Sequence, residues 1–150
     1  MMRHIVNLRP LLALTCTLLL IAGCSKGLQW SDREISNGQR LLDAIEATNA
    51  AGSLLSDPNP DNVDKALTEL RRAHIAAAQV DDQVLDKLHP GLQPRLRLNF
   101  QRALGRMIQA VETNDSRALN KSADTIQDFI AWYRANEQDF RWWDGPRRRR

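Results

Sequence analysis

Residues 61–88 read DNVDKALTELRRAHIAAAQVDDQVLDKL. Within them Val63, Leu67, Leu70, His74, Ala77, Asp81, Val84 and Leu88 follow one another in steps of four and three, and Ala66, Ala73 and Val80 widen the stripe. That is the period of an amphipathic helix, not the alternation of a strand. Asp61 suits the N-cap position and Asp64 the first turn, where carboxylates meet free backbone N–H groups. His89-Pro90-Gly91 ends the pattern, so the spacing predicts one helix of about 40 Å over 61–88. Small residues at Ala76, Ala77 and Ala78 let a neighbouring helix come close.

The same period extends outward in both directions. Upstream, Ser31-x-x-Glu34 is a capping box, in which the hydroxyl and the carboxylate satisfy free N–H groups at a helix start. Ile35, Gly38, Leu41, Leu42, Ile45, Thr48 and Gly52 share one side of the helix it opens, and Ser56-Asp57-Pro58-Asn59-Pro60 closes it. Downstream, Pro94 fits the first turn of a third helix, whose apolar face is Leu96, Phe100, Ala103, Leu104, Met107, Ile108 and Val111. Thr113-Asn114-Asp115-Ser116 supplies a turn and a cap. A fourth helix then carries Leu119, Ala123, Ile126, Phe129, Ile130, Tyr133 and Phe140. Four amphipathic helices with short connections predict an all-α fold, an antiparallel four-helix bundle of two helical hairpins.

Ahead of this domain the chain has a different character. Arg3 and Arg9 precede an apolar run from Leu11 to Ile21, which ends at Ile21-Ala22-Gly23-Cys24. A positive start, an apolar core and a small-residue cut site make an export signal. Leu11 to Ala22 would span about 18 Å as helix, too short for a hydrocarbon core of roughly 30 Å. Ile21, Ala22, Gly23 and Cys24 together resemble the lipobox of bacterial lipoproteins. The resemblance implies cleavage before Cys24 by the lipoprotein signal peptidase. It also implies a thioether-linked diacylglyceryl group on that sulfur and a further acyl chain, such as palmitate, on the new amino group. Two or three chains hold a protein at a membrane, whereas one binds only marginally. Ser25 after the cysteine implies the periplasmic face of the outer membrane rather than the inner one. The organisation expected is a signal peptide over 1–23, a lipidated tether over 24–30, a helical bundle over 31–143 and a basic tail over 144–150.

Charge and cysteine usage narrow the functional classes. The chain holds 21 Lys+Arg against 18 Asp+Glu. Without Arg3 and Arg9 the balance is 19 to 18, and without Arg147, Arg148, Arg149 and Arg150 it is 15 to 18. The body is mildly acidic and shows no basic stripe with interleaved aromatics, which argues against a nucleic-acid partner. Cys16 leaves with the signal and Cys24 takes lipid, so no thiol remains for a disulfide, a thiolate metal site or a nucleophile.

Few side chains suggest chemistry. Ser31, Ser36, Ser53, Ser56, Ser116 and Ser122 sit at caps, turns or polar faces, and none lies in a G-x-S-x-G elbow. Asp81, Asp82 and Asp86 cluster, but Arg95 and Arg97 lie just across the Pro-Gly turn and are expected to pair with them. His74 and Met107, facing inward, are candidates for a haem or metal site, although neither a second His nor a C-x-x-C-H motif accompanies them. The C-terminus is the most unusual segment. Trp142 and Trp143 precede Arg147, Arg148, Arg149 and Arg150, a pairing of amphipathic rings with phosphate-binding guanidinium groups. The function expected is a non-catalytic interaction or assembly module of the cell envelope without a cofactor. Its partners would be membrane lipid through Cys24 and an envelope protein or anionic headgroup at the C-terminus. The alternatives are a small-ligand, metal or haem-binding bundle and, third, an envelope-polymer hydrolase.

Overall fold

Ser31 opens the fold as a capping box. Its N–H donates to Glu34 Oε2 at 2.9 Å, and the Glu34 N–H donates to Ser31 Oγ at 3.4 Å. The computed structural model describes residues 31–57 and 59–136, and among them it is all-helical, with no strand. Five helices follow in order: α1 (Asp32–Leu55), α2 (Asp61–Ala78), α3 (Asp82–Leu88), α4 over 92–112 and α5 (Ser116–Ala135). The helix α4 is continuous but changes pitch, with a π-helical segment at Arg95–Gln101 ahead of Arg102–Glu112. Pro94 sits in its first turn, as expected.

The single helix expected over 61–88 is in fact two. A continuous helix would join the Asp81 N–H to the Ala77 carbonyl. Both groups have other partners. The Asp81 N–H donates to Asn37 Oδ1 at 2.7 Å, and the Ala77 carbonyl accepts from Arg97 Nη1 at 2.8 Å. Asp81 then caps α3, its carboxylate accepting from the Gln83 N–H at 2.9 Å. Tertiary hydrogen bonds thus replace the local one, which an apolar spacing cannot reveal. Asp61 is also not the cap of α2. It is the first helical residue, and the Asn59 side chain accepts its N–H at 3.0 Å.

Packing joins α1 to α2, α4 to α5, and α2 to α4. Leu41, Leu70, Leu85, Leu92, Leu96, Phe100 and Leu104 are fully buried. Ile35 and Val63, placed on the core stripe by their spacing, are exposed instead. The π segment has a packing reason. Leu92, Leu96, Phe100 and Leu104 recur every four residues, and four residues overshoot an α-helical turn by about 40°. The wider π turn cancels that drift and keeps all four in the core. Between α4 and α5, Asn114 takes φ 53°, and the Asp115 N–H reaches back to the Ala110 carbonyl at 2.9 Å. This left-handed residue reverses the chain and satisfies the free carbonyls of α4.

Asn37 is 2% exposed and also donates to the Arg33 carbonyl at 2.7 Å, so it joins α1 to the α2–α3 break. Replacing Asn37 with Ala should lower unfolding free energy by about 1–3 kcal/mol, because it strands the Asp81 N–H. Urea denaturation followed by circular dichroism measures it, and an unchanged midpoint would remove Asn37 from the account of the break.

Candidate functional site

Three features stand apart from the core, and each arises from how the helices meet. At the break, Arg97 enters from the π segment with its side chain only 21% exposed. It donates to the Ala77 carbonyl in the last turn of α2, to the Val80 carbonyl in the break and to Gln101 Oε1 at 2.9 Å. Its Nη2 pairs with Asp82 Oδ1 at 2.7 Å. A cation among the last carbonyls of a helix complements their partial negative charge. Arg33 closes the other side as an ion pair with Asp81. The expected acid–base pairing across the turn therefore forms at Asp82 and Arg97. Arg95 goes elsewhere.

Arg95 lies 4.7 Å from the centre of the Trp132 ring. His89 meets the same indole edge-on at 5.4 Å, and its Nδ1 accepts the Gly91 N–H at 3.1 Å. Phe129 links Trp132 inward to Phe100, with centroids 6.1 and 4.6 Å apart. These contacts put the end of α5 beside the start of α4. The Arg33–Asp81 pair puts the start of α1 at the same pole. Ser31 and Asn136, the two ends of the described chain, share that pole.

The third feature is a groove of about 360 Å³ between α1 and α5, which face one another instead of packing closely. Met107, Ile126 and Ile130 form its apolar part, and Asn49, Ser53 and Gln127 its polar rim. Small residues hold it open: Thr48 and Gly52 on α1 and Ser56 just after it face Ala123 on α5. The hydroxyls of Thr48, Ser53 and Ser56 donate to the carbonyls of Ala44, Asn49 and Gly52 at 2.7, 3.1 and 2.8 Å. No lining side chain carries a charge. Its walls therefore offer apolar side chains, amides and hydroxyls.

His74 and Met107 are not brought together. His74 is half-buried on α2, and its Nε2 stands 3.7 Å from where a Cβ on Gly105 would be. Met107 lies two residues on, about 200° around α4, and lines the groove. Among the described residues no group of three or more His, Cys, Asp or Glu side chains could hold a metal ion. Ile21, Ala22, Gly23 and Cys24, and also Phe140, Trp142, Trp143 and Arg147 to Arg150, lie outside the described residues. The groove leaves little mark on the sequence beyond the small residues Thr48, Gly52 and Ser56 at four-residue steps. Asn37 belongs to no pattern at all. No protein family, curated protein or solved structure matches this chain.

Two expectations follow from this geometry. The guanidinium of Arg33, with the Gln83 N–H, holds the Asp81 carboxyl below the ordinary carboxylate value of 3.8. A carboxyl lowered by folding stabilises the fold above its unfolded pKa, and that gain is lost as pH falls through the folded one. The stability difference between the natural chain and Asp81→Asn should therefore hold steady from neutral pH downward and shrink below 3.8. Denaturation midpoints across an acid series read it directly, and a difference independent of pH would contradict the pairing. In the groove, a Cβ added to Gly52 meets nothing within 4 Å, and the residue lies inside α1. Gly52→Ala should raise unfolding free energy by about 0.5–1 kcal/mol through lower chain entropy. A thermal midpoint that drops instead would mean the groove wall is already filled.

Proposed function

We propose that this chain is a bacterial envelope lipoprotein: an acylated Cys24 tethers a helical domain to a membrane, most simply the periplasmic face of the outer one. The observation that carries it is the quartet Ile21-Ala22-Gly23-Cys24 behind a basic start and an apolar run too short to span a bilayer. The arrangement of the helices supports it. Ser31 stands seven residues after Cys24, a reach of at most about 25 Å. The bundle therefore hangs close to the lipid by its break pole. The end of α5 lies at that pole too, and Trp142, Trp143 and Arg147 to Arg150 follow it in the sequence. No helix of the described residues is long and apolar enough to cross a membrane, in keeping with attachment through lipid.

In this reading α1, α2, α4 and α5 are the four staves of an antiparallel bundle, and α3 is a short piece that turns the chain beneath it. The task is non-catalytic: the domain presents surfaces to an envelope assembly. The aromatic and basic C-terminus contacts an acidic partner or anionic headgroups, where each basic residue adds about 1 kcal/mol. The groove between α1 and α5 offers a second contact surface.

Two altered chains test the proposal in cells fed a clickable fatty acid. The natural chain should take up the label and pellet with the envelope, and Cys24→Ser should do neither. A chain lacking residues 147–150 should keep the label and the helical signal but lose crosslinked partners or anionic vesicles. Normal processing and pelleting of Cys24→Ser would end the anchor. Equal capture without residues 147–150 would end the role of the tail.

A further inference from the structure

A second cleft, of about 420 Å³, opens between the last half of α4 and the first half of α5, at the pole opposite Ser31 and Asn136. Alanines make room for it: Ala103 and Ala110 from α4 and Ala118 from α5. Arg106 stands on one wall and Lys121 on the other. Neither forms an ion pair within the described residues, whereas Arg33, Arg71, Arg72 and Arg97 each do.

The donors are unequally available. Thr113 and Thr125 already donate to the Gln109 and Lys121 carbonyls at 2.9 and 3.0 Å. The start of α5 is also taken, because the Asp115 carboxylate accepts the Ala118 N–H at 3.0 Å. What remains to meet a ligand is the guanidinium fork of Arg106, the ammonium of Lys121, the Gln109 amide and the Ser122 hydroxyl. Asp115 is the one acid among the lining residues, so the walls carry a net single positive charge.

From these positions we propose that the cleft binds a phosphate-bearing polar molecule of about the size of a glycerophosphate or sugar phosphate. The fork of Arg106 takes two phosphate oxygens, and Lys121 supplies a point charge from across the cleft. The volume lies within the range of small-ligand sites and exceeds what a bare phosphate fills, so the ester's polar body rests on the alanine floor. The proposal stands on described residues alone and does not depend on the anchor at Cys24.

The test is calorimetric titration of the full chain, purified in an uncharged detergent, with glycerol 3-phosphate and, separately, with inorganic phosphate. Saturable binding is expected, and Arg106→Gln or Lys121→Gln should weaken it at least about tenfold, the scale of a charge-assisted hydrogen bond. Ala118→Leu, which blocks the floor without touching a charge, should weaken the ester more than inorganic phosphate. Arg117→Gln removes one charge outside the cleft and should change nothing. Tighter binding of the ester is expected, and equal binding of both would overturn the ester in favour of free phosphate. Failure to saturate, or an equal loss with Arg117→Gln, would overturn the proposal. The helical signal of each variant shows that the domain is intact.

Discussion

One missing helical bond organises this domain. Where α2 would run on, the Ala77 carbonyl turns to Arg97 and the Asp81 N–H turns to Asn37. The replacement costs no hydrogen bond, since each buried group keeps a partner. It does require three segments to be in place together: the start of α1, the end of α2 and the π segment of α4. A break of this kind is therefore a tertiary feature written into the backbone. It also exposes Asp81 and Asp82 to the guanidinium groups of Arg33 and Arg97, which hold the two sides of the turn.

From that turn the rest of the layout follows. Helix α3 swings under the core, burying Val84 and Leu85, and α4 can start at the same pole where α2 ended. The four-residue spacing of Leu92, Leu96, Phe100 and Leu104 then calls for π winding to remain buried. The winding in turn aims Arg97 at the end of α2 and Arg95 at Trp132. Break and π segment are two halves of one constraint, because the arginine that holds the first is carried by the second.

The helices themselves were legible in the sequence. The capping box at Ser31, the turn at Asn114 and the cap at Asp115 formed as the residue types require. Periodicity over 61–88 gave the right helical character but concealed the break, since Val80 and Val84 keep the apolar rhythm across it. Ile35 and Val63 sit on that rhythm yet remain exposed, because a stripe says which side of a helix is apolar and not how far a neighbour covers it. The groove was hidden for the opposite reason. It is made by what Gly52, Ser53 and Ala123 lack, and small residues carry weak patterns.

The two poles differ in kind, and their separation has a length. Helix α1 has 24 residues, which at 1.5 Å each makes about 36 Å from the break to its far end. One pole is crowded with satisfied charges and rings, and both described chain ends leave from it. The opposite pole carries Arg106 and Lys121, which form no ion pair among the described residues, around an alanine floor. Charges that are already paired gain little from a ligand, while unpaired ones across a cleft gain a partner without losing one. A tether at the first pole would hold the second tens of ångströms out from the lipid, beyond the roughly 8 Å Debye length at which headgroup charge is screened. Ligand contact at the cleft would then reflect the cleft's own chemistry rather than the field of the membrane behind it.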